Sequence, residues 1–162
     1  PKAIESGCEP DLDVWKRAAN PAINLSGFNR RYGAGHIHVG VEDIDAYPAQ
    51  REIIVKWCDV LLGAPALLLD DDMYRRQTYG TAGRYRNKSY GIEYRTLSNF
   101  WMRTEEGMRW AFEQAYKAAR NSLAPHGTFP YVEDLMRLAV EGDKSIAQEL
   151  VNEYDISLPN VA

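Results

Sequence analysis

The chain has 162 residues, of which 45% are hydrophobic and 26% charged, and its formal net charge is −4. These values are typical of one globular domain, so residues 1–162 are treated as a single domain. The acidic balance argues against nucleic-acid binding, and no apolar run is long enough to cross a membrane. Two cysteines, Cys8 and Cys58, make no disulfide framework, and with no signal peptide they predict a cytoplasmic setting. The chain begins at Pro1, so we expect a processed product or part of something longer.

The first part of the chain predicts one strand and one helix. Residues 1–35 are rich in Pro, Asn, Gly and Arg and are predicted to be mostly irregular. A strand follows at 36–40, where histidines alternate with aliphatic side chains. A helix from Pro48 to about Leu62 comes next and carries Cys58 as a buried thiol.

The second part predicts one strand and three helices. A charged loop at 70–83 leads to a strand at 90–97. A helix at about 105–123 follows, and a short one at 130–142 precedes a last helix capped by Asp143. The predicted buried stripes are Met108, Ala111, Phe112, Ala115 and Ala119 on the long helix, and Ile146, Ala147, Leu150 and Val151 on the last. The pattern predicts an α+β fold in which an antiparallel sheet has helices on one face.

Both predicted strands carry polar side chains on one face. Alternation places Glu93 and Arg95 on one face of the strand 90–97, and Tyr90, Ile92, Tyr94 and Thr96 on the other. His36 and His38 likewise share a face, an arrangement typical of metal or phosphate sites. Two structural alternatives stay open: the histidines could be hydrogen-bonded within the sheet, and Glu93 and Arg95 could be a cross-strand salt-bridge pair.

A basic block follows the acidic run 70–72. Its members are Arg75, Arg76, Arg84, Arg86, Lys88 and Arg95. Local positive charge in an acidic protein predicts a small anionic ligand such as a polyphosphate. The alternative is a solvated face with scattered salt bridges.

Three strings of residues stand out: SGCEPDLDVW from Ser6, RRYGAGHIHVG from Arg30 and YGTAGRYRNKSYGIEYRTLSNFW from Tyr79. They resemble the phage-type COOH–NH2 ligase family, type 2, of the glutamine synthetase and gamma-glutamylcysteine synthetase superfamily. The resemblance covers nearly the whole chain. It implies the C-terminal portion of a glutamine synthetase-like catalytic fold.

The resemblance also implies roles for particular residues. His36 and Glu93 would be metal ligands, and His38, Lys88 and Arg95 would bind the nucleotide. The catalytic residues would be Arg84, Arg86 and Arg95, which would hold the transferred phosphate.

The implied reaction uses ATP and Mg²⁺ to convert a carboxylate into an acyl phosphate, which an amine then attacks. Planar guanidinium groups suit the phosphate oxygens in such a transfer. The partners would be small-molecule or protein carboxylates and amines, with no nucleic acid and no membrane. Arg30, Arg31, Arg75 and Arg76 are candidates for orienting a substrate carboxylate, although exposed arginines are more often solvated. The location would be the host cytoplasm.

The family's remaining metal carboxylates belong to N-terminal strands that this chain is expected to lack. Asp70, Asp71, Asp72, Glu42 and Asp43 are candidates to replace them, although no spacing supports this. Three explanations stay open: a preceding segment supplies those strands, a second chain supplies them, or the protein is a ligase remnant. A remnant would be a structural virion or assembly component with virion partners and no activity.

Overall fold

A computed structural model describes residues 11–21, 33–45, 47–123 and 129–162. At its centre is a sheet of five strands: β1 (Leu12–Asp13), β2 (Ala18–Ala19), β3 (Ile37–Gly40), β4 (Arg84–Lys88) and β5 (Gly91–Tyr94). The spatial order is β2-β1-β4-β5-β3, and every neighbouring pair is antiparallel. The predicted α+β fold with an antiparallel sheet is confirmed.

Six α-helices accompany the sheet in the described part of the chain. They are α1 (Pro48–Cys58), α2 (Ala64–Leu69), α3 (Met73–Thr78), α4 (Glu105–Ser122), α5 (Glu133–Glu141) and α6 (Lys144–Glu153). A π-helix, Asp59–Gly63, joins α1 to α2, and a 3₁₀ helix, Phe100–Arg103, precedes α4. None of the helices found in these ranges is long and apolar enough to span a membrane.

The hydrophobic core lies between the helices and one face of the sheet. Ile92 and Tyr94 of β5 are fully buried, and Ile37 and Val39 of β3 lie beside them in the same core. Helix α1 contacts β4 and β5, and α4 contacts β3. Because side chains alternate along a strand, the residues between these apolar positions project from the other face.

A buried carboxylate fixes the core face of the sheet to the π-helix. Asp59 Oδ1 accepts a hydrogen bond from the Tyr94 hydroxyl at 2.7 Å, and Oδ2 accepts one from Trp15 Nε1 at 2.6 Å. Burial outweighs these hydrogen bonds and raises the pKa of Asp59 to about 7. Tyr94 immediately follows Glu93 in β5, so Asp59 anchors the strand that carries the polar residues.

The predicted end of this helix near Leu62 is wrong, because the chain stays helical from Pro48 to Leu69 through the π-helix. A Cβ at Gly63 would lie 2.5 Å from the Tyr94 hydroxyl. Glycine is therefore needed there for the close approach of β5, and it does not end the helix. Cys58, at the end of α1, is a buried free thiol as predicted.

The predicted strands 36–40 and 90–97 correspond to β3 and β5, which are shorter. The region 1–35, expected to be irregular, contributes β1 and β2, and β4 was not predicted as a strand. The short length of β1 and β2 leaves no alternation to detect.

Tyr90 was placed on the face opposite Glu93, but it lies in the β4–β5 turn and its hydroxyl reaches His38. The turn interrupts the alternation just before Gly91, whose φ is +154°.

The predicted buried stripe of the long helix is wrong for Met108 and Phe112, whereas Ala111 is buried and Ala115 and Ala119 are partly buried against the core. Met108 and Phe112 are 47% and 73% exposed, and the buried face of α4 consists of Gly107, Trp110, Ala111, Gln114, Ala118 and Ser122. Small residues on that face let α1 pack closely. Gln50 of α1 donates hydrogen bonds to the backbone oxygen and the hydroxyl of Ser122.

The last two helices follow the sequence pattern more closely. Asp143 caps α6 by accepting hydrogen bonds from Ser145 N and Ile146 N at 2.9 and 3.1 Å. Ala147, Leu150 and Val151 are buried as predicted, with Ile146 partly buried. The short helix begins at Glu133, three residues after Pro130, and ends before Gly142.

Candidate active site

The polar face of the sheet brings predicted site residues from three strands into one row. His38 of β3 and Arg86 of β4 are the direct partners of Glu93 in β5. Direct partners in an antiparallel sheet project from the same face, so these three side chains lie side by side. The expectation that the histidine strand and the glutamate strand share a polar face is therefore met.

Glu93 is the centre of an ionic network. Its Oε2 lies 2.8 Å from Lys88 Nζ, and its Oε1 lies 2.8 Å from His36 Nδ1 and also contacts Arg95 Nη1. The side chain is only 5% exposed. Burial alone would raise the pKa of this carboxyl, but Lys88, Arg95 and His36 together lower it to about 2. Glu93 is consequently ionised and held by three groups at neutral pH.

His36 lies just before β3 and is a neutral member of this network. Burial and the guanidinium of Arg95 lower its pKa to about 4, and the attraction of Glu93 offsets only part of that effect. The contact with Glu93 therefore needs the proton on Nδ1, which donates to the carboxylate. That tautomer leaves the lone pair of Nε2 as an acceptor or ligand.

Asp11 is a site residue that the sequence reasoning missed. Its Oδ1 lies 3.2 Å from Arg84 Nη2, and its Oδ2 lies 3.2 Å from Arg95 Nε. One carboxylate therefore holds two guanidinium groups on the polar face. The available signal was the string Asp11-Leu12-Asp13, in which two acids flank an apolar residue as in a short strand.

Arg84 begins β4 and Arg95 directly follows β5, and both side chains are largely buried. Their side chains are 5% and 11% exposed. Arg84 Nη1 also donates to the carbonyl oxygen of Thr78 at 2.6 Å, which fixes its guanidinium from a second side. The arginines are thus oriented before any ligand arrives, which lowers the entropy lost on binding an anion.

Glu93 also has three neighbours that differ in exposure to solvent: His38, Arg86 and Lys88. His38 is exposed, and its Nδ1 lies 2.5 Å from the Tyr90 hydroxyl. The positive charge of Arg86 helps to lower the pKa of His36. Among the described residues, three cations, Arg84, Lys88 and Arg95, contact two carboxylates, Asp11 and Glu93.

Residues 22–160 match the family described as phage phiEco32-like COOH·NH2 ligase, type 2. The chain belongs to this family. The match covers every residue of the network except Asp11 and extends through α6. Among curated proteins and among solved structures, none matches the chain. The family name specifies an enzyme class that joins a carboxyl group to an amine.

The arrangement does not fit a resident metal ion at the pair predicted from the family resemblance. His36 and Glu93 are in contact, but both oxygens of Glu93 are already engaged by Lys88, Arg95 and His36. Magnesium prefers an octahedral set of oxygen ligands. Among residues 11–21, 33–45, 47–123 and 129–162, no group of three His, Cys, Asp or Glu side chains could hold a metal ion.

Arg75 and Arg76 belong to the packing of the fold and not to an anion site. Arg75 donates to the carbonyl oxygens of Thr96 and Leu97 at 2.6 and 2.5 Å. Arg76 donates to Val140 O at 3.1 Å and also to Ala66 O. Each arginine is 3% exposed. The expectation of solvated or substrate-binding side chains is therefore wrong for this pair.

The other predicted side chains lie elsewhere or beyond the described ranges. Asp70 Oδ2 accepts a hydrogen bond from Ser98 Oγ at 2.6 Å, and Asp72 caps α3 through Arg75 N at 2.9 Å. Asp71 contacts Lys144 at 3.3 Å. Arg30 and Arg31 lie outside the described residues.

Proposed function

We propose that the chain is an ATP-dependent carboxylate–amine ligase that forms an amide bond through an acyl-phosphate intermediate. The family description supplies the two reacting groups, a carboxyl and an amine. The observation that carries the proposal is the pair of preoriented guanidinium groups of Arg84 and Arg95 on the polar face. Such a surface suits the transfer of a phosphoryl group, which depends mainly on positioning and charge stabilisation.

Two balanced steps make up the proposed reaction. A carboxylate oxygen first attacks the γ-phosphorus of ATP, and the bond to the bridging oxygen breaks so that ADP leaves. The amine nitrogen then attacks the acyl carbon, the bond between that carbon and the phosphate oxygen breaks, and phosphate leaves. The amine gives up one proton to complete the amide. No side-chain nucleophile is needed, because ATP supplies the activating group.

The residues of the polar face have distinct proposed roles in these steps. Arg84, Arg86 and Arg95 stabilise the negative charge on the phosphoryl group while it moves. Lys88 and His38 bind the nucleotide phosphates. Asp11 and Glu93 hold these cations in place, and their removal would let the guanidinium groups move apart.

Magnesium is proposed to enter with the nucleotide, as the MgATP substrate. The phosphates then supply most of the oxygen ligands, as is common where magnesium binds a nucleotide. No step is assigned to a resident metal ion. This reading agrees with the engagement of Glu93 by its own cations.

Calorimetry with MgATP tests the binding part of the proposal. Arg95→Ala should weaken binding by roughly 1.5–3 kcal/mol, because a charge-assisted hydrogen bond to phosphate is lost. Arg103→Ala is the matched control, since Arg103 is exposed in the 3₁₀ helix and should leave binding unchanged. Circular dichroism confirms that both variants fold. Equal weakening by both substitutions would contradict the proposed role of Arg95.

The second candidate is a structural virion or assembly protein that has kept the ligase fold without activity. The observation that favours it is the engagement of both Glu93 oxygens by groups of the same chain. If the protein is such a structural component, the intact protein should not bind MgATP, and wild type and Arg95→Ala should assemble in the same way. Measurable binding that Arg95→Ala removes would exclude it.

A further inference from the structure

The polar face of the sheet ends at the β4–β5 turn in an exposed pair of aromatic rings. Tyr90, in that turn, is 48% exposed, and its ring centroid lies 6.1 Å from that of His38, with 30° between the two planes. The Tyr90 hydroxyl lies 2.5 Å from His38 Nδ1, so each side chain holds the other in place. Because His38 is the direct partner of Glu93, the pair stands beside the ionic network of the candidate site.

Two glycines next to this pair leave part of the polar face without side chains. Gly40 of β3 and Gly91 of β5 are direct partners, and Gly40 shares the face of His38 because it lies two residues further along the strand. A Cβ at Gly91 would overlap Val39 O, so that glycine is required by the pairing of the strands. Gly40 is exposed, and among the described atoms a Cβ there would have one neighbour within 4 Å, Tyr90 O at 3.6 Å. Packing therefore does not require a glycine at position 40, where the bare backbone allows the close approach of a ligand.

Strand β4 carries a positive side chain at every second residue, and these side chains lead towards the same turn. Arg84, Arg86 and Lys88 alternate along the strand, and the last two are the direct partners of Glu93 and Gly91. At about 3.3 Å per residue the series extends roughly 13 Å. A nucleoside triphosphate has its γ-phosphate at one end and its base at the other. With the γ-phosphate at Arg84, phosphates bound along this series therefore place the base near the turn.

We propose that Tyr90, held by His38 and bordered by Gly40, is the subsite for the base of the bound nucleotide, which stacks on the Tyr90 ring. This inference rests on the proposed ATP-dependent function and names a part of the same site. Aromatic side chains bind bases through their planar faces, and a ring already fixed by a hydrogen bond loses little freedom when the base arrives. The bare backbone at Gly40 leaves room for the base beside that ring.

A structural role for Tyr90 makes a different demand on the side chain. If Tyr90 only positions His38, its hydroxyl matters, because the hydroxyl makes the hydrogen bond to His38 Nδ1. If Tyr90 stacks on a base, its ring matters, and the hydroxyl contributes only by fixing the ring. Tyr90→Phe removes the hydroxyl and keeps the ring, whereas Tyr90→Ala removes both. The two roles are therefore separable by comparing these two substitutions.

Calorimetry with MgATP and with magnesium tripolyphosphate, which has three phosphates and no base, tests the subsite. Wild type should bind MgATP at least about fivefold more tightly than magnesium tripolyphosphate, because only MgATP offers a base to stack. Tyr90→Ala should abolish this difference and leave the affinity for tripolyphosphate unchanged, and Tyr90→Phe should restore most of the difference. Tyr116→Ala is the control, since Tyr116 is 59% exposed on α4 and should alter neither affinity. Circular dichroism verifies that each variant folds.

The outcomes separate the base subsite from the phosphate site on which it depends. Gly40→Leu should also weaken MgATP binding selectively, because its side chain fills the space beside the Tyr90 ring. Equal wild-type affinities for MgATP and tripolyphosphate would overturn the base subsite and leave the phosphate site standing. Equal weakening of both ligands by Tyr90→Ala, or a Tyr90→Phe variant that behaves like Tyr90→Ala, would overturn stacking in favour of the structural role. Binding of neither ligand by wild type would contradict the proposed function, and the subsite with it.

Discussion

Replacing Glu93 with glutamine should lower the stability of the protein at neutral pH, although the shape of the side chain is preserved. The carboxylate contacts Lys88, His36 and Arg95 and is 5% exposed. Its pKa of about 2 lies below the ordinary value of 4.5, so the ionised form stabilises the folded state. The difference of about two and a half between these two pKa values corresponds to about 3 kcal/mol of unfolding free energy. Because Lys88 is partly exposed, the expected loss of unfolding free energy is roughly 2 kcal/mol.

The pH dependence of this effect distinguishes the ionic network from a packing defect. The contribution of Glu93 is fully present above pH 4.5 and is lost as the pH falls from 4.5 towards 2. Urea unfolding followed by tryptophan fluorescence should therefore show the largest difference between wild type and Glu93→Gln near pH 7. Glu105→Gln is the matched control, because Glu105 is 83% exposed and its ion pair contributes at most about 1 kcal/mol. A loss that is the same at pH 7 and pH 3 would refute the electrostatic reasoning.

Two further predictions concern Asp59 and Asp11. The pKa of Asp59 is raised to about 7 from 3.8, so its contribution is present below pH 3.8 and lost as the pH rises through 7. Asp59→Asn should therefore reduce the fall in unfolding free energy over that interval, by up to about 1.4 kcal/mol per pH unit. An unchanged pH profile would contradict the raised pKa. Asp11→Asn should lower the melting temperature, because Arg84 and Arg95 lose their shared counterion. Added phosphate should restore part of that loss by binding between the two guanidinium groups, and a loss insensitive to phosphate would contradict their role as an anion site.

The sequence predicted the polar face of the sheet because alternation is a local property. The i, i+2 spacing of Glu93 and Arg95 determines that they share a face whatever the strand pairs with. The pairing itself brings His38 opposite Glu93, and no local pattern contains that information. The capping of α6 by Asp143 was likewise predictable, since a cap bonds backbone groups two or three residues away.

Features that depend on tertiary contacts were not predictable. Asp11 reaches Arg84 and Arg95 only because β1 pairs with β4, and two-residue strands leave almost no pattern. Glycine disfavours a helix interior, yet Gly63 lies inside a continuous helix because the hydroxyl of Tyr94 in β5 approaches it closely. On α4 both faces carry apolar residues, so periodicity could not tell which one α1 covers.

Hydroxamate formation by the intact protein would report the proposed acyl-phosphate intermediate itself. Hydroxylamine serves as the amine, because it converts an acyl phosphate into a hydroxamate, and a panel of amino acids supplies the carboxylate. Hydroxamate and ADP should appear in equal amounts for at least one carboxylate, and neither should form without ATP. Glu93→Gln, verified as folded, should lose this activity because Lys88 and Arg95 lose the charge that positions them, whereas Glu105→Gln should retain it. Equal rates of ADP release by wild type and Glu93→Gln, or no hydroxamate with any carboxylate, would contradict the account.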